Sequence, residues 1–140
     1  MTATEIILVK NAFQKIEPVA EQAAALFYAR LFELDPSFRR LLHGNMDAQQ
    51  RRFLEMITFA VNSLDHPEQI SAAFRPLGAR HAREGVRPDH YSTVGMALLW
   101  TLEKTLGGDF NAAVKSAWCS MFSLLTSYLL AGRHSATAAA

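Results

Sequence analysis

Residues 81–91, HAREGVRPDHY, contain the strongest indication of how this chain folds. The segment has a histidine late in a helical pattern, a Gly-Val turn, and a Pro-Asp pair that opens another helix. His81 follows Phe74 and Leu77 by seven and four residues, so its ring faces the same side of the helix as these apolar side chains. An imidazole that faces a core is costly unless it bonds to a partner. His81 is therefore either a core histidine bonded to a carbonyl oxygen or a ligand of a buried group.

The composition of the 140-residue chain indicates one globular domain. It also indicates that part of the surface of this domain is apolar. Hydrophobic residues make up 50% of the chain and charged residues 19%, which is below the roughly 25% usual for soluble domains. Fourteen basic and thirteen acidic residues give a net charge of +1, so no basic field indicates nucleic-acid binding. We expect a partner, a neighbouring chain or an enclosed ligand to cover the apolar surface.

Cysteine use and apolar run lengths indicate a cytoplasmic protein. The single cysteine, Cys119, cannot form an internal disulfide, which fits a reducing compartment. No apolar run reaches the roughly 18 residues needed to cross a bilayer, and the start lacks a signal-peptide pattern. We therefore expect no membrane insertion.

Helical periodicity covers almost the whole chain, and no segment alternates as a strand does. The pattern predicts an all-α domain of about seven helices over residues 1–132. Residues 133–140 are small and polar, which predicts a flexible C-terminal tail.

Cap residues and prolines predict where these helices begin and end. Thr4 is expected to cap the first helix, and Asp47 the long helix that follows it. Pro76 is expected to break the helix that starts after Pro67, because proline lacks an amide donor and clashes with the preceding turn.

Residues 81–95 carry several residue types at fixed spacing and resemble the proximal segment of bacterial globins, the group of flavohaemoglobins and single-domain haemoglobins. Residues 26–36 are similar to the second helix and corner of that group, and residues 109–118 to the entry of its last helix. The resemblance extends over about residues 6–130. It implies a globin fold, in which helices cross at about 50° around a haem, here haem b.

The resemblance also implies a role for individual residues. His81 matches the histidine that binds the haem iron and would be the metal ligand. Tyr28 and Gln49 match the polar pair that acts on the gas and would be the catalytic residues. Arg52 is an alternative to Arg80 for a haem propionate, although we favour solvated surface for Arg52. The other cofactor-binding residues implied are Leu42, Phe53, Leu77, Arg80, Val86, Tyr91, Val94 and Leu98.

Each residue of the polar pair also has a purely structural interpretation. A phenol O–H and an amide N–H₂ group are donors that stabilise a polarised gas molecule in a dry pocket. The alternative for Tyr28 is core packing with its hydroxyl bonded to the backbone. The alternative for Gln49 is an exposed position, with Gln50 as the inward residue.

Three positions depart from the family pattern. Leu42 stands where the family has a phenylalanine at the haem edge, and Phe38 is expected to fill part of that gap. Phe53 is bulkier than the usual aliphatic residue and is expected to restrict ligand entry. Arg133 stands where the family has a glutamate that supports the proximal histidine. Because such partners raise ligand basicity, we expect weak electron donation from His81 and poor peroxidase-like activity.

Two other histidines are expected to face solvent. His43 lies in a loop near the haem-edge corner, where the alternative is a propionate contact. His90 abuts Tyr91 near a helix start, and we favour exposure there too.

The function implied is a haem globin that reversibly binds dioxygen, nitric oxide and carbon monoxide. Oxidation of nitric oxide to nitrate is a further expected reactivity. It would depend on an external reductase, because the chain has no G-x-G-x-x-G dinucleotide fingerprint. The alternatives are a haem-based gas sensor and a haem-free interaction module with a globin fold. We expect a monomer or a homodimer.

Overall fold

The computed structural model describes residues 1–42 and 44–139, with side chains described up to residue 134. The fold is all-α, as the periodicity predicts, and no strand is present in the described residues. His43 lies outside them. None of the described helices is both long and apolar enough to span a bilayer. The helices are α1 (Ala3–Ile16), α2 (Ala20–Leu34), α3 (Phe38–Leu41), α4 (Met46–Asn62), α5 (Pro67–Arg83), α6 (Pro88–Leu106) and α7 (Ala112–Ala139), with 3₁₀ turns at Glu17–Val19 and Gly107–Asp109.

The first cap residues lie two positions earlier than predicted. Thr2, rather than Thr4, caps α1: its hydroxyl accepts from the Glu5 amide at 3.1 Å, and the Glu5 carboxylate accepts from the Thr2 amide at 2.9 Å. Asn45, rather than Asp47, caps α4, since its side-chain oxygen accepts from the Asp47 amide at 2.7 Å. In both cases the neighbouring polar residue falls inside the first turn.

The predicted break at Pro76 is wrong, because α5 runs from Pro67 to Arg83 with Pro76 inside it. Proline removes one amide donor, and the cost is of the order of 3 kcal/mol in an isolated helix. Here α5 makes the most extensive helix contact of the fold, against α7. Tertiary packing therefore outweighs the local preference.

Two glycines allow α5 and α7 to approach at backbone distance. A Cβ added at Gly78 would lie 2.0 Å from the Leu129 carbonyl oxygen, and one at Gly132 would lie 1.8 Å from the Arg75 carbonyl oxygen. Gly132 is therefore a packing residue within α7. The helix continues to Ala139, while the flexibility of residues 133–140 stays a prediction.

The remaining helix pairs enclose a core and leave one large space. α2 packs on α6 and α1 packs on α7, with a smaller contact between α2 and α4. The largest side chains that are fully buried are Trp118, Phe74, Ile70, Met121, Val9 and Val61. Residues from α2 through α6 border a cavity beside this core.

Candidate functional site

A cavity of about 1000 Å³ lies between α2, α3, α4, α5 and α6. This volume is at the upper end of the range for small-molecule sites, roughly 300–1,000 Å³. The predicted site residues that line it are Tyr28, Leu42, Gln49, Phe53, Leu77, Arg80, His81, Val86, Tyr91 and Val94. The fold thus gathers residues from five helices and the α5–α6 turn around one space.

The turn after α5 fixes the backbone around His81. Gly85 has φ +97°, a conformation that favours glycine and reverses the chain at this point. The Val86 amide then donates to the His81 carbonyl oxygen at 2.9 Å. The local sequence His81 to Val86 therefore closes α5 on the residue that carries the imidazole.

The His81 ring has one nitrogen engaged and one available. Its Nδ1 lies 3.4 Å from the Tyr91 hydroxyl oxygen, which leaves Nε2 for another partner. Burial lowers the pKa of His81, Glu84 opposes this effect, and Arg80 adds to it. The imidazole is therefore neutral at pH 7, the form that binds metals.

The charge of a guanidinium, that of Arg133, acts on the Tyr91 side of the ring. Tyr91 is 7% exposed, and burial raises its pKa while nearby Arg133 acts to lower it. Nη1 of half-buried Arg133 donates to the Val86 carbonyl oxygen at 2.5 Å. The sequence predicts that an arginine, Arg133, replaces the carboxylate at this position. The structure adds that this arginine binds the Val86 carbonyl oxygen and that its charge acts on Tyr91.

Tyr28 lies at the cavity wall with only a long hydrogen bond. The residue is 6% exposed, and its ring meets Phe27 edge-on with centroids 5.1 Å apart. Its hydroxyl donates to the Gln49 backbone carbonyl at 3.4 Å, the kind of contact that the packing interpretation predicts. Burial raises the pKa of Tyr28 to about 12, opposed by the charge of Arg52. Tyr28 is therefore a neutral phenol that can donate toward the cavity.

The side chains of α4 border the cavity beside Tyr28. Gln49 is half-buried and lines the cavity, whereas Gln50, also half-buried, does not line it. Arg52 is exposed but borders the cavity, as does exposed Arg80. Arg52 is therefore exposed to solvent and also lies at the edge of the cavity.

Phe53 separates the cavity from a second, smaller one. Its ring stacks on Phe27 with centroids 4.4 Å apart and an interplanar angle of 9°. Both rings also line an apolar cavity of about 40 Å³ that is bordered by Leu98 and Trp118. The structure thus places Leu98, which is expected on the proximal wall, in the wall of the smaller cavity instead.

His90 is buried, so the expectation that it faces solvent is wrong. It is 3% exposed, and its Nδ1 accepts from the Arg87 amide at 2.8 Å. Its ring meets Phe38 edge-on with centroids 5.1 Å apart, and both residues line the cavity with half-buried Leu42. The signal in the sequence is position: His90 lies three residues after the residue that caps α6, where a side chain can reach back to the cap amide.

The donor set and the cavity fit haem. A single imidazole holds iron when a macrocycle supplies the remaining ligands, and His81 offers one available ring nitrogen. The cavity has the volume and the mostly apolar walls that a large flat ligand needs. Arg52 and Arg80 at its border are suited to anionic groups such as propionates.

Comparison with known proteins gives a family match. The model of the Globin family matches residues 25–129. A Flavohemoprotein of Rhizobium meliloti (strain 1021) is 30% identical over 112 residues, which cover 78% of this chain and 28% of that protein. A Neuroglobin of Tetraodon nigroviridis is 27% identical over 139 residues, 89% of this chain and 87% of that protein.

A solved structure matches the whole fold. An engineered carbene transferase, made from a proposed nitric oxide dioxygenase of Rhodothermus marinus, superposes with a TM-score of 0.89. The match covers 99% of this chain and 97% of the other at 24% sequence identity. At that identity the likeness shows the fold.

Proposed function

Because the chain belongs to the globin family, whose members bind haem and small gases, we propose that it holds haem b through His81 and reversibly binds dioxygen, nitric oxide and carbon monoxide. The observation that carries this proposal is that a neutral, half-buried imidazole and a neutral, buried phenol line one cavity of about 1000 Å³. Residues 1–132 would form the gas-binding domain, and the protein would act in the cytoplasm as a monomer or a homodimer.

His81 and Tyr28 have different roles in the proposed site: His81 binds the cofactor, and Tyr28 donates a hydrogen bond to the gas. Haem supplies an iron that binds diatomic gases and exchanges one electron. The Nε2 atom of His81 would hold this iron, while Tyr91 faces Nδ1 at 3.4 Å and orients the ring. Leu42, Leu77 and the other apolar wall residues exclude water, so that polar interactions inside the cavity are strong.

Tyr28 and Gln49 supply hydrogen bonds on the gas side. The present bond from Tyr28 to the Gln49 carbonyl is 3.4 Å long, well beyond the usual 2.7–2.8 Å for an O–H donor. Such a weak bond costs little to exchange for a shorter one to a polarised gas. The Gln49 amide adds a second donor at the same wall.

Nitric oxide dioxygenation is the enzymatic activity that we propose for this site. Nitric oxide, dioxygen and one electron together give nitrate, so every turnover needs an electron from outside the cavity. Support comes from the Flavohemoprotein relative, of which this chain spans only 28%. A separate reductase would supply the electron.

The proposal is tested by absorption spectra of the purified, haem-loaded protein in its ferric, reduced and carbon monoxide forms. We expect a strong Soret band that shifts when the reduced protein binds the gas. His81→Ala should lose the haem while circular dichroism still reports most of the helix content, and exposed His66→Ala is the matched control. A wild-type protein without a Soret band after haem addition would contradict haem binding, and normal spectra of His81→Ala would contradict the ligand assignment.

A further inference from the structure

Val86 couples the end of α5 to α7 through both of its backbone polar groups. Its amide donates to the His81 carbonyl oxygen at 2.9 Å, and its carbonyl oxygen accepts from Arg133 Nη1 at 2.5 Å. One residue of the α5–α6 turn therefore connects the backbone of the imidazole-bearing residue to a guanidinium 47 positions later in the chain.

The glycine contacts of α7 determine where this guanidinium lies. Gly132 lies so close to α5 that a Cβ there would be 1.8 Å from the Arg75 carbonyl oxygen. Arg133 is the next residue of the same helix, so its backbone is held against the middle of α5. From there its long, half-buried side chain reaches the Val86 carbonyl oxygen in the α5–α6 turn.

Arg133 also lies within electrostatic reach of the hydroxyl that contacts His81. Its charge acts on Tyr91, which is 7% exposed and whose oxygen lies 3.4 Å from His81 Nδ1. Guanidinium is always protonated and only donates hydrogen bonds. It cannot take a proton from the Tyr91 hydroxyl, as a carboxylate in its place could.

We propose that Arg133 is a positioning residue for His81, which fixes the α5–α6 turn through Val86 and places a positive charge at that turn. A fixed positive charge also disfavours the more positive ferric state relative to the ferrous state. Arg133 therefore favours the gas-binding ferrous form, an inference that rests on the proposed haem function.

The test measures the reduction potential of the haem-loaded protein by spectroelectrochemical titration, together with the iron–histidine stretch of the reduced form. Arg133→Gln keeps a donor for the Val86 carbonyl but removes the charge, and Arg133→Lys keeps the charge. We expect Arg133→Gln to shift the ferric-to-ferrous ratio about tenfold toward ferric iron, which is ~59 mV for one electron. Arg133→Lys should stay close to the wild type.

Arg51→Met is the matched control, because Arg51 is exposed on α4 and does not line the cavity. It should leave both readouts unchanged. A wild-type potential and stretch in Arg133→Gln would overturn the role of the charge, and so would an equal shift in Arg51→Met. Failure of the proposed function is distinct from either result, because the wild type itself would then show no Soret band.

Discussion

The Tyr28 hydroxyl has an unusual combination of burial and weak bonding. It is surrounded by Phe27 and Phe53 at centroid distances of 5.1 and 5.8 Å, and its only described hydrogen bond is 3.4 Å long. A buried donor that is poorly satisfied gains free energy from any better acceptor. This is the property that a gas-binding tyrosine needs.

Tyr28→Phe is therefore expected to speed dioxygen release. A hydrogen bond to a polarised partner contributes about 1.5–3 kcal/mol, so the dissociation rate should rise roughly ten- to hundredfold. Stopped-flow displacement of dioxygen by carbon monoxide measures this rate. Tyr128→Phe on α7, away from the cavity, is the control, and an equal rate in wild type and Tyr28→Phe would show that the hydroxyl does not reach the gas.

For individual residues, the sequence predicts most of the side chains that line the cavity. It misplaces two residues, Leu98 and His90. Ten of the eleven residues that the resemblance identifies line one cavity, because the helical register fixes which side chains share a face. Leu98 lines the neighbouring small cavity, and His90 is a buried cap. Both outcomes depend on how α6 packs against other helices, which no local pattern specifies. The chemical roles of the wall residues stay predictions.

At the scale of the elements, backbone contact between α5 and α7 is the feature most sensitive to substitution. Gly132→Ala would place a methyl group 1.8 Å from the Arg75 carbonyl oxygen, so the two helices must move apart. We expect the free energy of unfolding to fall by about 1–3 kcal/mol, the usual cost of overpacking. Urea denaturation followed by circular dichroism measures this change.

Gly108→Ala provides the comparison for that experiment. A Cβ at Gly108 would meet nothing within 4 Å, so its substitution should change the unfolding free energy by less than about 0.5 kcal/mol. If Gly132→Ala were no more destabilising than Gly108→Ala, the close helix approach would be wrong.

The helices themselves could be predicted from the sequence, while their ends could be predicted only in part. Apolar periodicity is strong enough to identify the helical segments. The errors at Thr4 and Asp47 have a common origin. Each of these helices has two polar residues that could cap it, Thr2 or Thr4 for α1 and Asn45 or Asp47 for α4. Which one caps the helix depends on the backbone conformation of the folded chain. The helix through Pro76 persists because of contacts with α7, which lie far along the chain.

On the scale of the whole molecule, carboxylates hold separate parts of the chain together. Glu5 on α1 accepts from Ser120 on α7, and Asp65 after α4 pairs with Lys10 on α1. These partners lower the pKa of Glu5 and of Asp65 below 4.5 and 3.8 respectively.

The protein is expected to lose stability in acid for this reason. A carboxyl whose pKa is lowered on folding stabilises the fold above its unfolded pKa, and this contribution disappears as the pH falls through the lowered value. The unfolding free energy should therefore decline from about pH 4.5 downward, with Asp35 and Asp89 adding to the effect. Urea titrations between pH 2 and 7 test this. Lys10→Met should reduce the decline, and an unfolding free energy that stays constant to pH 3 would contradict it.

The contact of α7 with α5 also has a consequence for biosynthesis. A ribosome releases the chain from its N-terminus, so every residue that lines the cavity emerges before Leu129, Gly132 and Arg133 do. Until those residues arrive, the helix that carries His81 lacks its most extensive partner. A nascent chain therefore exposes an unfinished, largely apolar cavity for as long as translation of the last helix takes. Cofactor capture should accordingly be a late event, and slow translation of this segment would prolong the exposure.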